Sequence, residues 1–351
     1  MKITLTKPEF IVGSEEKFLR FIRNIKKEDK VALVSHVADL DGLASAKIVN
    51  AVVKIDVTRY VDYQEIRVGL LEELKKLKVN KIIITDLFIK DPDFVKEVEK
   101  FAELLIIDHH SFERDYNSGK TTFLNAQEFC AAYLCYYLFS KIENLERYDW
   151  LVASASVSDW CYTNNKEWMQ QIYNKYKQNF EPSIQGIKKS EFWNVVLTIS
   201  RAIIYFRPKV EKVYSMIGEK FEDNKELEKY AKIIADEIEK ILNKFEKEKV
   251  SINDGYYFEF TSKYPLKSII ATELSEKYLD KTIFSLSRSE KYMEISARRQ
   301  DGKIDLNKLV RKLIEGFEGA TAGGHFKATG GSILLKDTEE FKKRLKNTKI
   351  F

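Results

Sequence analysis

The sequence predicts an α/β protein in three stretches: a parallel sheet with helical crossovers, a run of charged helices, and a smaller second α/β domain. Three observations predict it. Over residues 1–162 short β-branched runs alternate with helix-length amphipathic stretches. From 163 to 249 the pattern changes to long helices with interleaved Lys and Glu, and from 250 onward short strand-like runs return. With 351 residues, 44% of them apolar, the chain has the material for two cores.

In order, strands are expected at 31–35, 57–61, 81–86, 104–108 and 122–125, with helices between and after them at 43–54, 66–77, 92–101, 128–141 and 145–158. The stretch 224–248 carries the charged periodicity of a long solvated helix, so 163–249 is expected to be a helical insertion or connector. Its aromatic residues, Trp168, Tyr173, Tyr176, Phe180 and Trp193, are expected mainly to pack a helical core; stacking of bases or docking of a protein partner or second copy is the other use open to them. Strands at 256–261, 282–287, 293–298 and 330–335 and helices at 266–279 and 306–317 make up the last domain, residues 250–351. No internal repeat or low-complexity tract interrupts this plan.

Lys and Arg number 59 against 54 Asp and Glu, a net charge of +5, which does not by itself announce a nucleic-acid binder. The three cysteines, Cys130, Cys135 and Cys161, are too few for a disulfide framework and lack the spacing of a structural zinc site, so a reducing, cytoplasmic setting is expected. The opening residues show no apolar leader, and the longest apolar run, 129–139, is too short to cross a bilayer, so no membrane association is expected.

The chemistry is expected at the carboxyl ends of the first strands. The chain has only four histidines, His36, His109, His110 and His325, and each lies at a predicted strand end or in a glycine-rich loop. In open parallel sheets such ends converge on one ligand site. Three predicted strands run into His36-Val-Ala-Asp39-Leu-Asp41-Gly42, into Asp86, and into Asp108-His109-His110, and the helix at 145–158 leads into Asp159. Five carboxylates at one sheet edge require compensating cations or protons. Divalent metals compensate them most simply, and two metals use that many ligands; the mixed carboxylate and imidazole set suits manganese, with magnesium or cobalt as alternatives. Such a pair acidifies a water and steadies the oxygens of a phosphoryl transfer.

A second constellation lies near the C-terminus. In Gly319-Ala-Thr-Ala-Gly323-Gly324-His325-Phe-Lys327-Ala-Thr-Gly330-Gly331 the glycines allow close backbone approach to an anion, with His325 and Lys327 as charged donors. The strand at 293–298 ends in Arg298, whose planar fork suits phosphate, while period-two alternation assigns Arg299 to solvent.

These residues, in this order, resemble the DHH phosphoesterases of the branch whose second domain is called DHHA1. The triplet Asp108-His109-His110 gives the first signature and Gly323-Gly324-His325 the second. The resemblance implies a DHH catalytic domain at 1–162, the helical segment 163–249, and a DHHA1 substrate-binding domain at 250–351, with the active site in the cleft between domains. It implies that His36, Asp39 and Asp86 hold one metal and Asp41, Asp86, His109 and Asp159 the other, with Asp86 bridging. His110 would face the substrate phosphate or leaving oxygen, Asp108 would support it from behind, and Gly323, Gly324, His325 and Arg298 would clamp a terminal phosphate or nucleotide.

The expected function is therefore a metal-dependent, RecJ-like exonuclease or oligonucleotide phosphodiesterase that releases nucleoside monophosphates from single-stranded RNA or DNA ends. The family's bacterial RecJ-type enzymes append a nucleic-acid-binding barrel for which 351 residues leave no room, which favours short or terminal segments. Two readings stay open beside it: a small-nucleotide phosphoesterase acting on cyclic dinucleotides or 3′-phosphoadenosine 5′-phosphate, and a non-catalytic subunit binding nucleic acid or protein.

Overall fold

Strands buried on both faces need apolar residues at successive positions, and the first sheet has them. Val31, Leu33, Ile83, Leu105 and Ile107 point to one side, Ala32, Val34, Ile82, Ile84, Leu104 and Ile106 to the other, and each set closes its own core. In the computed structural model, which describes residues 3–348, the chain divides into two units, Met1–Lys232 and Ile233–Phe351.

The first unit opens with α1 (Glu15–Arg23), β1 (Val31–His36), α2 (Leu40–Val52), β2 (Val57–Val61), α3 (Val68–Lys76) and β3 (Lys81–Thr85). It continues with α4 (Pro92–Glu99), β4 (Glu103–Asp108), β5 (Thr121–Asn125), α5 (Ala131–Phe139) and α6 (Asp149–Ser158). All five strands are parallel, in the order β2-β1-β3-β4-β5. Helices α2, α5 and α6 pack on one face and α3 and α4 on the other. From β1 the chain steps outward to β2 and then crosses back to β3. The loops leaving β1 and β3 therefore diverge, and a crevice opens at the carboxyl ends of these two strands. Between β4 and β5 the crossover 109–120 contains no helix, so the residues after Asp108 are free to face that crevice.

Helices α7 (Lys166–Lys175), α8 (Ile184–Lys188), α9 (Glu191–Phe206) and α10 (Glu211–Met216) follow. Trp168, Ile172 and Tyr173 of α7 and Phe192, Val196 and Ile199 of α9 are buried in the same core as α2, α5 and α6. By packing, this part of the helical segment belongs with the sheet, and the two units divide inside α11 (Lys225–Glu248).

The second unit is a mixed sheet. It comprises β6 (Val250–Ile252), β7 (Gly255–Phe260), α12 (Lys267–Lys277), β8 (Thr282–Arg288), β9 (Tyr292–Arg298), α13 (Leu306–Leu313), β10 (Thr321–His325), β11 (Ala328–Leu334) and α14 (Thr338–Asn347). The strand order is β10-β11-β9-β8-β7-β6, with only β7 and β8 parallel. Phe284, Leu286, Ile295, Val310, Leu313 and Phe341 fill a core on the face that carries α13 and α14.

Two sequence expectations are corrected here. The glycine-rich segment expected as a loop is a hairpin: β10 pairs antiparallel with β11 through a turn at Phe326 and Lys327, because small residues let two backbones zip closely. Gly324, at φ 151°, requires glycine, since a Cβ there would stand 2.4 Å from the Ala328 carbonyl oxygen. Arg299, expected in solvent, is buried: its guanidinium binds Asp301 at 2.6 and 2.8 Å, Thr282 Oγ1 at 3.1 Å, and Asp254. On this side of the strand end two carboxylates, Asp254 and Asp301, enclose the guanidinium in place of water, and a fork-shaped cation fits between them.

Candidate metal centre

The carboxyl edge of the first sheet gathers the histidines and aspartates that the sequence singles out in residues 1–162. His36 is the last residue of β1, and Asp39 caps α2, accepting a bond from the Gly42 N–H at 3.1 Å. Gly42 makes this turn possible, because a Cβ at that position would lie 2.3 Å from the His36 carbonyl oxygen. Asp41, fully buried, accepts from the Ala131 and Ala132 N–H groups at 2.7 Å each, so the start of α5 aims its positive dipole end at this carboxylate. Asp86 follows β3 in the left-handed region, at φ 57°, a conformation uncommon outside glycine and typical of residues that a site holds under strain. Asp108 ends β4 and His109 follows it, while Asp159 caps the end of α6.

These side chains meet. His36 Nδ1 lies 2.9 Å from Asp39 Oδ2 and 3.4 Å from Asp86 Oδ2. His109 Nε2 lies 3.3 Å from Asp86 Oδ1, 3.5 Å from Asp159 Oδ2 and 3.8 Å from Asp41 Oδ2. Three sets offer ligand atoms within 4.8 Å of one another: His36, Asp39 and Asp86; Asp41, His109 and Asp159; and Asp86, Asp108, His109 and His110. Asp86 faces both histidines, one through each carboxylate oxygen.

The donor set fits divalent cations. His36 Nδ1, His109 Nε2 and Asp86 Oδ2 are buried without a hydrogen-bond partner, an arrangement that native interiors avoid unless another group completes it. In the absence of cations the cluster keeps protons. Burial, together with Asp86, raises the Asp41 carboxyl to about 7, and burial likewise raises Asp86 and Asp159. Burial alone would lower the imidazoles, yet the facing carboxylates outweigh it and hold His36 up to about 10 and His109 up to about 11.

His110 is placed differently. Its Nδ1 is 2.8 Å from Asp108 Oδ1, its Nε2 is 3.1 Å from the Tyr63 hydroxyl, and its carbonyl accepts from Asn125 Nδ2 at 2.8 Å. Burial opposes its charged form, but Asp108 raises its pKa overall. Tyr63 and Asn125 were not singled out by sequence. Tyr63 also lies against His36, ring centroids 4.5 Å apart, and sits just past the end of β2, where an aromatic with a polar tip was the available signal.

In the second unit the sheet brings Arg298, Ala328 and His325 into one cross-strand row, so Arg298 and His325 share a face. Arg298 is half-buried, with Nε 3.3 Å from Thr272 Oγ1 on α12, and burial lowers its pKa. His325 is exposed, and a Cβ at Gly323 would meet nothing within 4 Å, so the backbone of this edge strand is open to a ligand.

Residues 266–349 match the DHHA1 domain family. No curated protein matches the chain. Among solved structures, 98% of this chain superposes on exonuclease RecJ bound to manganese, at 14% identity, 95% coverage of that chain and a TM-score of 0.65. A DHH domain described as belonging to a family of ribosomal proteins is similar at 19% identity over 98% of this chain and 95% of that one, TM-score 0.61. RecJ in complex with Mg2+ from Thermus thermophilus gives 14% identity and TM-score 0.61, and this chain spans 53% of its length.

Proposed function

We propose that the chain, which shares the fold of exonuclease RecJ and matches the DHHA1 domain family over residues 266–349, is a divalent-metal-dependent phosphodiesterase that releases nucleoside monophosphates from single-stranded nucleic acid ends or short oligonucleotides. The observation that carries this reading is Asp86, buried and strained, turned toward His36 and His109 at once, with His36 Nδ1, His109 Nε2 and Asp86 Oδ2 buried without hydrogen-bond partners. In this reading His36, Asp39 and Asp86 would hold one ion, and Asp41, His109 and Asp159, joined by Asp86 through its contact with His109, would hold the other. When bound, the ions supply an acidified water and positive charge against the phosphate. Manganese-bound and magnesium-bound RecJ structures share the fold, which supports a hard divalent ion.

The remaining roles fall to the chain's own groups. Asp108 holds His110 through Nδ1 and favours its charged form, so Nε2 is able to carry a proton toward a leaving oxygen. Tyr63 keeps that nitrogen oriented from the other side. Arg298, partly desolvated, together with His325, Gly324 and the open backbone at Gly323, is assigned to the terminal phosphate or nucleotide.

The test is product analysis. With manganese and end-labelled RNA and DNA ladders, the purified protein releases mononucleotides; inertness toward both polymers at every length rejects the reading.

A further inference from the structure

Trp160 follows the candidate ligand Asp159 directly, and its Cα lies one peptide, about 3.8 Å, from that of Asp159. It occupies the left-handed region at φ 56°, just beyond the end of α6, where Gly or Asn is usual and a bulky side chain is disfavoured. The residue is 41% exposed, and among the described residues of the first unit it is the only large aromatic left so open. The backbone cost and the exposed ring thus fall on one residue beside the cluster, and strain of this kind gathers at binding sites.

The indole is not loose. Its ring centroid lies 5.6 Å from that of Trp193 at 46° and 6.1 Å from that of the buried Tyr162. Trp193 lies near the start of α9, its backbone N–H bonded to Ser190 Oγ at 3.2 Å, and Phe192 and Val196 anchor that helix in the core. Lys188 Nζ lies 5.9 Å from the Trp193 ring centroid, adding positive charge to the aromatic pair. A braced, partly exposed aromatic one residue from a candidate metal ligand has the chemistry that recognises a nucleobase without demanding one sequence.

We propose that Trp160, backed by Trp193, is the platform on which a base of the substrate stacks, with its phosphate at the metal cluster. This deepens the phosphodiesterase reading by making a nucleobase, and not only a phosphodiester, part of what is recognised. The test is calorimetric titration of the manganese-loaded full chain with adenosine 5′-monophosphate and with ribose 5-phosphate, which differ only in the base. The wild type is expected to bind the nucleotide about 5- to 150-fold more tightly, the range that base stacking on one aromatic provides. In Trp160→Ala that ratio falls toward one, while the affinity for manganese alone stays at the wild-type value. Should the Ala variant lose manganese through misfolding, Trp160→Phe and Trp160→Leu read the same ratio, retained in the first and lost in the second. Equal binding of the two ligands by the wild type, failure of the nucleotide to bind, or an undiminished ratio without the aromatic ring overturns the proposal. Because the titration needs no turnover, a preserved ratio alongside inert oligonucleotides would sink the hydrolase reading and leave the base platform standing.

Discussion

Asp86 concentrates the account at the scale of single residues, since both proposed ions depend on it. Asp86→Ala is expected to lower kcat by at least about 10³-fold, and loss of manganese on dialysis distinguishes this from a purely substrate-binding defect. Protons already occupy the cluster, with His36 held up to about 10 and His109 up to about 11. Both imidazoles are charged near neutral pH and must lose their protons to act as ligands. Cation binding therefore releases protons, and affinity weakens as pH falls and strengthens as it rises toward those values. Titrations in buffers of differing ionisation enthalpy read the release directly; uptake of protons would contradict it. His110→Ala is expected to cost about 10²- to 10⁴-fold in kcat. Asp108→Asn removes the group that raises His110, so the alkaline limb of the pH profile moves to lower pH. The cluster of His and Asp side chains proposed to hold the ions was legible because these residue types at strand ends are chemically conspicuous. Tyr63 and Asn125 were not, since a tyrosine or asparagine beside a strand reads equally as core or turn until its partner is seen.

Elements were legible where periodicity is strong. The five strands of the first sheet fall where the apolar runs predict, with ends shifted by a residue at most, and His36 lies within its strand rather than beyond it. The hairpin of β10 and β11 was obscured by glycines, which lack strand propensity although they pair well here. For Arg298 and Arg299, alternation separates two faces but cannot show that Asp254 and Asp301 await the second guanidinium. Arg299→Ala leaves those carboxylates without their buried partner and is expected to cost about 1.5–3 kcal/mol, read by chemical denaturation of the full chain. At the turn from β1 into α2, Gly42→Ala forces a methyl against the His36 carbonyl. Its expected cost is about 1–3 kcal/mol together with weaker manganese binding, whereas an unchanged melting temperature and affinity would show that the turn tolerates a side chain.

At the scale of the whole molecule, strand order does what no single motif can. Reversal between β1 and β3 opens the crevice, and residues 36, 86, 109 and 159, remote in sequence, face one another because their strands and helices end at it. The parallel sheet could be read from alternating elements, but the place where helices 163–232 join its core could not, because long-range packing leaves no local period. No helix among the described residues is long and apolar enough to cross a membrane. Anomalous diffraction at the manganese edge, from crystals of the full chain soaked in that ion, decides whether the cluster holds two ions. Two peaks about 3.5–4 Å apart are predicted, both touching Asp86, one against His36 and Asp39 and the other against Asp41, His109 and Asp159. An absence of density there, with these side chains unmoved and manganese bound elsewhere or not at all, would contradict it.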